Sequence, residues 1–198
     1  GGSSCHIHLS LFDKNNNNVF YSSNSNQTSE LMQHFLGGLI KYTNDIFLFF
    51  APTINSYKRL MPDTFAPTSV TWGEDNRTVA FRLVGSEKSR RIENRIPGAD
   101  INPYLAYSAM IAAGLKGIKE KIKVTDKPET GNVYAKKVNK HLPKSLEEAT
   151  NIFKESEFIR EFFGEKVQRH YTNFGEQTFL ASKNVVTDFE RRILLLDI

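Results

Sequence analysis

The sequence predicts an α+β fold, with strands mainly in residues 1–100 and helices mainly in residues 101–198. Period-two alternation of apolar and polar residues recurs in the first part, and helix-start signals recur in the second. Strands and helices that occupy separate stretches of a chain are typical of α+β proteins. With 198 residues, 39% of them hydrophobic, the chain is long enough to bury a core.

Four short strands are predicted in the first part. The segment from Cys5 to Phe12 alternates, so that its apolar residues share one face and His6 and His8 lie on the other. Three further strands are predicted at 68–72 and 78–84, on either side of a turn, and at 91–96.

Helices are predicted from end signals and from apolar spacing. Apolar residues at helical intervals predict a helix over 30–44. Asn102 and Pro103 start another, because Asn can cap a helix and Pro loses no needed N–H in the first turn. Capping boxes are predicted at two further helix starts, Ser145 with Glu148 and Thr187 with Glu190. The remaining predicted helices are 146–153, 157–163, 164–179 and a last one after 187.

Composition excludes several classes of protein. Cys5 is the single cysteine, so no disulfide forms within the chain, which favours a reducing compartment and predicts a cytoplasmic protein. The longest apolar stretch, 46–52, is far too short to cross a bilayer, so no membrane is expected. A net charge of +4 is too small to indicate a nucleic-acid partner, and none is expected.

Three polar features carry chemistry. His6 and His8 place two imidazoles on one side of a strand, which suits a metal or phosphate site but also an exposed histidine pair. A basic run indicates either anion binding or a solvated sheet edge; it consists of Arg77, Arg82, Lys88, Arg90, Arg91 and Arg95. Glu93 shares a strand face with two arginines and should stay ionised, as a metal ligand or in a salt bridge.

Together these residues predict an anion-handling site. Arginine binds phosphate and carboxylate bidentately, and a histidine with a carboxylate suits Mg²⁺ or Mn²⁺. Phosphoryl transfer uses this combination of a metal and positive charge, although the chain contains neither a P-loop nor a kinase glycine-rich loop.

Four collinear motifs resemble those of glutamine synthetases. They are Gly2-Ser-Ser-Cys-His-Ile-His-Leu-Ser10, Lys58-Arg-Leu-x-Pro62 with Ala66-Pro67, Asn76-Arg77 to Arg82, and Arg91-Ile-Glu-x-Arg95 through Asn102-Pro-Tyr-Leu105. The tail from Leu142 onwards resembles the C-terminal helices of that family. The resemblance implies the C-terminal portion of a glutamine synthetase-type catalytic domain, an antiparallel sheet with flanking helices.

The resemblance also implies an activity. In this family ATP activates glutamate to γ-glutamyl phosphate, and an amine or ammonia then displaces phosphate. ATP and Mg²⁺ or Mn²⁺ are therefore the expected cofactors, glutamate and an amine or ammonia the expected substrates, and stacked rings of identical subunits the expected assembly. By position, the implied metal ligands are His6 and Glu93, the ATP contacts are His8, Ser10, Arg77, Arg82 and Lys88, with Arg77 catalytic, and the glutamate contacts are Gly2, Arg59 and Arg95.

One position departs from glutamine synthetases proper. Phe65 stands where they place a flap glutamate that closes the active site and helps deprotonate ammonium. A phenyl ring cannot accept a proton, and segment 65–68 resembles the branch that ligates glutamate to larger amines, such as γ-glutamylpolyamine synthetases. We therefore expect a glutamate–amine ligase. The alternatives are an ammonia-using glutamine synthetase and a non-catalytic structural member of the family.

The resemblance covers nearly the whole chain but only part of the family's pattern. The family's N-terminal β-grasp domain, the first half of its catalytic domain and further metal-binding glutamates precede the His-x-His strand and are not in this sequence. We therefore expect residues 1–198 to be a C-terminal portion that is inactive alone.

Overall fold

The computed structural model describes residues 2–24, 28–61, 64–136 and 138–196, so that Pro62 of the second motif lies outside the described residues. The strands are β1 (Ile7–Leu9), β2 (Trp72–Glu74), β3 (Phe81–Val84) and β4 (Arg91–Asn94). The α-helices are α1 (Glu30–Tyr42), α2 (Ser56–Arg59), α3 (Pro103–Lys119), α4 (Leu146–Glu155), α5 (Glu157–Lys183) and α6 (Asp188–Leu196). Three 3₁₀ turns lie at Phe47–Phe49, Glu87–Ser89 and Val133–Ala135.

The four strands form one mixed sheet in the order β1-β4-β3-β2. The β1–β4 and β4–β3 pairs are antiparallel, as expected, and their register places both His8 and Arg82 opposite Glu93. The β2–β3 pair is parallel, so the expectation of a purely antiparallel sheet is wrong for this pair. The reason is the connection 75–80, which is not a tight reversal but carries the chain back along the sheet before β3 begins.

Helices α1 and α3 pack against each other at unusually short range. A Cβ atom at Gly38 would lie 2.1 Å from the carbonyl oxygen of Ala113, and one at Gly117 would lie 2.2 Å from that of His34. These contacts leave no room for side chains, so the two backbones approach closely and the long apolar residues of α1 reach into the core. Met32, Phe35, Leu36 and Leu39 of α1 are each at most 1% exposed.

The C-terminal helices join this core through aromatic rings around Phe49. The Phe49 ring lies 5.1 Å from Phe153 of α4 in an edge-to-face arrangement, and 5.2 and 5.3 Å from Phe163 and Tyr171 of α5. Gly164 has φ 80° inside α5, so the long helix bends there. This break agrees with the boundary predicted between segments 157–163 and 164–179.

The predicted helix starts are confirmed, with one difference. The Asn102 side chain accepts hydrogen bonds from the amides of the first turn of α3. The Ser145 hydroxyl accepts from the Glu148 amide at 3.1 Å, but the Glu148 carboxylate accepts from the amide of Lys144, at 2.8 Å, rather than from that of Ser145. The second capping box is complete, since the side chains of Thr187 and Glu190 each accept from the other's amide.

Arg90 is a structural residue rather than part of an exposed basic edge. Its side chain is 3% exposed, and it donates to both carboxylate oxygens of Glu74, at 2.6 and 2.9 Å. It also donates to the hydroxyl of Thr28, just before α1. A bidentate guanidinium–carboxylate pair of this kind ties β4 to β2 across the sheet and to the start of α1.

Removing the charge of Glu74 should therefore cost stability, because it leaves the buried Arg90 guanidinium without a counter-ion. For Glu74→Gln we expect the free energy of unfolding, measured by equilibrium urea titration, to fall by about 2–4 kcal/mol. Glu176→Gln, in the exposed pair with Lys154, is the matched control and should cost less than about 1 kcal/mol. Equal effects of the two substitutions would contradict this assignment.

Candidate active site

The buried carboxylate of Glu93 contacts histidine and arginine side chains that lie in or next to three strands. Glu93 lies in β4 and its side chain is 4% exposed. Its Oε1 is 3.1 Å from Nδ1 of His6 and accepts from Arg95 at 3.1 Å, and its Oε2 accepts from Arg82 at 3.0 Å. His8 lies further away, with Nε2 at 3.8 Å from Oε1. The structure thus unites two predicted metal ligands with predicted ATP and glutamate contacts.

The electrostatics of this group favour a charged carboxylate beside a neutral imidazole. Burial alone raises the pKa of Glu93, but the hydrogen bond from Arg82 and the charge of Arg95 outweigh it and bring that pKa below its usual value. Burial, then the nearby Arg95 guanidinium, lowers the pKa of His6. A neutral imidazole has one N–H donor and one nitrogen lone pair, so His6 keeps one nitrogen able to act as a ligand.

Two further contacts orient side chains of the group. The Nε of Arg91 donates to Nδ1 of His8 at 3.1 Å, so the proton of a neutral His8 sits on Nε2, which faces Glu93. Arg82 is held from its other side by Asp75, whose Oδ1 accepts from Nε at 3.1 Å. Both predicted ATP contacts are therefore fixed by neighbours on the sheet.

The other predicted ATP contacts stand apart from this group. Arg77 and Lys88 are exposed, and within the described ranges neither side chain has a hydrogen bond or an ion pair. Ser10 is half-buried just after β1. Their roles remain predictions. Neither cation is tied up in a hydrogen bond within these ranges, although the charge of Arg77 helps to lower the pKa of the nearby Asp75 carboxyl.

A cleft of about 570 Å³ contains two of the predicted glutamate contacts. It is lined by Gly2, Ser3, Asn55, Ser56, Lys58, Arg59, Thr64, Ala99 and Asp100. The Arg59 side chain runs along Gly2, where an added Cβ would lie 3.1 Å from it. Arg59 donates to the carbonyl of Ile96, and its buried Nε has no partner among the described residues. Arg95 does not line this cleft, because its guanidinium is turned to Glu93.

Burial lowers the pKa of Arg59, while the nearby Asp100 carboxylate counteracts that effect. Asp100 also accepts from the hydroxyls of Thr53, at 2.9 Å, and Ser56, at 2.6 Å, and so fixes the start of α2, which carries Arg59. Neither Asp100 nor Asp75 was among the residues predicted from the sequence. Both are acidic residues close in sequence to arginines of the predicted site, and this proximity was the signal that could have identified them.

His6 and Glu93 offer two donors suited to a divalent cation. A neutral imidazole nitrogen and an ionised carboxylate are suitable ligands, since a carboxylate has about four lone-pair positions and retains some when hydrogen-bonded. In the described part of the chain, no three His, Cys, Asp or Glu side chains come together as a metal-binding group. Within the described residues these two donors therefore do not make a complete metal site.

Phe65 and Tyr134 lie beside the Arg77 loop. The Phe65 ring is 84% exposed, and its backbone has φ 59°. The Tyr134 hydroxyl lies 2.8 Å from the carbonyl oxygen of Phe65 and 3.3 Å from that of Arg77. Tyr134 was not predicted as a site residue from the sequence, because only the folded chain brings it to these two segments.

A mixed sheet that buries a carboxylate among arginines and imidazoles, beside an arginine-lined cleft, defines an anion-handling catalytic domain. The family model described as the glutamine synthetase catalytic domain matches residues 1–194. The chain belongs to the glutamine synthetase family.

Similar proteins share much of this sequence. The chain is 44% identical over 191 residues to the gamma-glutamylethanolamide synthetase GlnA4 of Streptomyces coelicolor, covering 96% of the chain and 40% of the relative. It is 40% identical over 193 residues to the glutamate–isopropylamine ligase of a Pseudomonas species, covering 96% and 42%. A solved GmaS/ADP complex superposes with a TM-score of 0.88 at 30% identity, covering 98% and 46%. The chain thus spans less than half the length of these relatives.

None of the described helices combines the length and the apolar character that crossing a bilayer requires.

Replacing the central carboxylate by an amide should destabilise the sheet. In Glu93→Gln the buried Arg95 loses its counter-charge and Arg82 keeps only that of Asp75, so we expect the free energy of unfolding to fall by about 3–5 kcal/mol in urea titration at pH 7. Glu87→Gln, on the exposed turn before β4, is the matched control and should change it by less than about 0.5 kcal/mol. A Glu93→Gln variant as stable as the control would show that the arginines do not depend on Glu93.

Proposed function

We propose that this chain is the C-terminal part of an ATP-dependent glutamate–amine ligase that works through γ-glutamyl phosphate. The observation that carries the proposal is the Glu93 group, in which His6, Arg82 and Arg95 meet one buried carboxylate. A non-catalytic scaffold would gain little from burying this many charges, because desolvation offsets most of their attraction. Membership of the glutamine synthetase family supports the same reaction.

The phosphate end of the site would lie on the sheet. We assign ATP contacts to His8, Ser10, Lys88 and Arg82 and the catalytic role to Arg77. The free guanidinium of Arg77 suits a group that binds only the transferring phosphoryl, since interactions gained in the transition state raise the rate. An arginine in that role can contribute about a thousandfold. The solved relative described as an ADP complex is consistent with a nucleotide at this end.

The glutamate end would lie in the cleft beside Arg59. Its buried Nε lacks a partner in the described residues, and an unpaired buried donor is costly unless a ligand satisfies it. A carboxylate of glutamate is a suitable acceptor, and Gly2 leaves space beside the Arg59 stem. Arg95, which is bonded to the Glu93 carboxylate, is the third glutamate contact that we assign and adds positive charge on this side.

His6 and Glu93 would hold a divalent cation, Mg²⁺ or Mn²⁺. Such an ion neutralises phosphate charge when bound. The low pKa of His6 keeps its imidazole neutral, and the low pKa of Glu93 keeps its carboxylate ionised, so both are ready to act as ligands near neutral pH.

An organic amine, such as a polyamine, is a better-supported acceptor than ammonia. Phe65 presents an apolar, exposed ring where an acidic residue would be needed to bind ammonium and take its proton. Two similar proteins are named for ethanolamide synthesis and isopropylamine ligation. An ammonia-using enzyme is the second candidate, since other relatives are named glutamine synthetases.

The remaining assignments concern the whole protein. We infer that residues 1–198 form the C-terminal part of a larger catalytic domain, since the relatives are more than twice as long. The missing metal ligands would come from polypeptide outside this segment, in a homo-oligomer of stacked rings. A cytoplasmic setting agrees with Cys5 as a free thiol.

Full-length protein containing this segment should form ADP only when glutamate, an amine and Mg²⁺ or Mn²⁺ are all present. We expect turnover with a panel of primary amines, weak turnover with ammonium, loss of activity with a chelator and its return on adding metal. The 198-residue chain alone should be inactive. Coupled ADP release and mass spectrometry of the γ-glutamylamide are the measurements. Ammonium as the best acceptor would support the second candidate, and turnover by the isolated chain would refute the idea of an incomplete site.

Arg77→Ala in the full-length protein should abolish phosphoryl transfer while leaving assembly intact. We expect kcat to fall about a thousandfold, with an unchanged elution volume in size-exclusion chromatography. Arg169→Ala, which removes an exposed arginine of α5, is the matched control and should keep full activity. Normal turnover by Arg77→Ala would remove Arg77 from the catalytic machinery.

A further inference from the structure

Tyr134 lies where two functionally important segments meet. Its hydroxyl contacts the carbonyl oxygens of Phe65 and Arg77, which are twelve positions apart in the chain. A tyrosine hydroxyl carries one proton, so it donates mainly to Phe65, at 2.8 Å, and more weakly to Arg77, at 3.3 Å. Both acceptors are backbone atoms, so the contact constrains the course of the chain at each segment.

The segment that carries Tyr134 is itself fastened to the Arg77 loop. The side-chain amide of Asn76 donates to the backbone carbonyls of Glu129 and Gly131, at 3.1 and 3.0 Å. The Thr78 hydroxyl accepts from the Val133 amide at 3.0 Å. The residues on both sides of Arg77 thus hold this segment in place, and it presents the Tyr134 hydroxyl from a fixed position.

Phe65 needs such support. A bulky residue at φ 59° is uncommon, because its side chain crowds the backbone in the left-handed region. Such a conformation persists where surrounding contacts hold it, and it is frequent at functional sites. With its ring 84% exposed, Phe65 gains little from packing. The Thr64 hydroxyl stabilises the preceding residues by donating to the carbonyl oxygen of Met61. The Tyr134 hydroxyl donates to the carbonyl oxygen of Phe65 itself.

We infer that Tyr134 is a positioning residue that fixes the Phe65 segment relative to the Arg77 loop. The inference rests on the proposed function, in which Phe65 faces the amine and Arg77 the transferring phosphoryl group. The neutral amine nitrogen attacks the γ-carbonyl carbon, the bond from that carbon to the phosphate oxygen breaks with its electron pair on the departing phosphate, and the proton that the nitrogen loses passes to that phosphate or to water. Holding the reactants in the correct relative geometry contributes much of the rate of such a step. A contact that links the Phe65 segment to the Arg77 loop therefore affects both the amine side and the phosphate side of the site.

Tyr134→Phe in the full-length protein tests the inference, because it removes the hydroxyl and keeps the ring. We expect the KM for the amine to rise and kcat to fall, each by about three- to tenfold, the range that corresponds to one hydrogen bond. The KM for ATP and the melting temperature should stay the same. Tyr104→Phe is the matched control, since the Tyr104 ring is 80% exposed on α3, and it should change none of these quantities.

The outcomes separate this inference from the proposed function. Wild-type protein that ligates amines, with Tyr134→Phe kinetically identical to it, would overturn the positioning role and leave the function standing. A fall in melting temperature with unchanged KM values would likewise overturn it, since that is the effect of a purely structural residue.

Amide hydrogen exchange gives a readout that does not depend on activity. In the full-length protein, Tyr134→Phe should speed exchange at 64–66 relative to wild type, whereas Tyr104→Phe should not. Unchanged exchange at 64–66 would overturn the positioning role whatever reaction the enzyme performs. Faster exchange in a protein that ligates no amine would support the link and refute the proposed function.

Discussion

The sheet and the candidate site both depend on one interaction, the burial of the Glu93 carboxylate among basic side chains. Its two oxygens contact His6 just before β1, Arg82 in β3 and Arg95 just after β4. These partners would repel one another without the carboxylate, and the carboxylate would be costly to bury without them. The antiparallel register of the three strands brings these groups together. The contacts around Glu93 therefore constrain the strand register and the electrostatics of the site at the same time.

The arginines around the sheet divide into distinct tasks that their sequence positions do not reveal. Arg90 is locked to Glu74 inside the fold, whereas Arg82 is shared between Glu93 and Asp75. Arg77 has no such contact among the described residues. A guanidinium that is already paired helps to stabilise the fold, whereas an unpaired guanidinium is available to bind a ligand. Paired and free guanidinium groups thus sit within one short stretch of chain.

Local signals predicted the helices well. Caps at Asn102 and Ser145 involve residues close in sequence, so their hydrogen bonds could be anticipated. The motif resemblance likewise anticipated that His6 and Glu93 would meet, although neither residue alone indicates it. The parallel β2–β3 pair and the bond from Tyr134 to Phe65 could not be predicted, because they depend on the path of the chain between distant segments.

The short connection 75–80 between the two parallel strands gives this region an unusual sensitivity to length. Parallel neighbours are ordinarily joined by a dozen or more residues, which can absorb insertions. Here the return path also carries Asn76 and Thr78, whose side chains fasten it to the segment after Glu129. An inserted or deleted residue in this connection would shift β3 along β2 and would separate Asn76 and Thr78 from the groups that they bind.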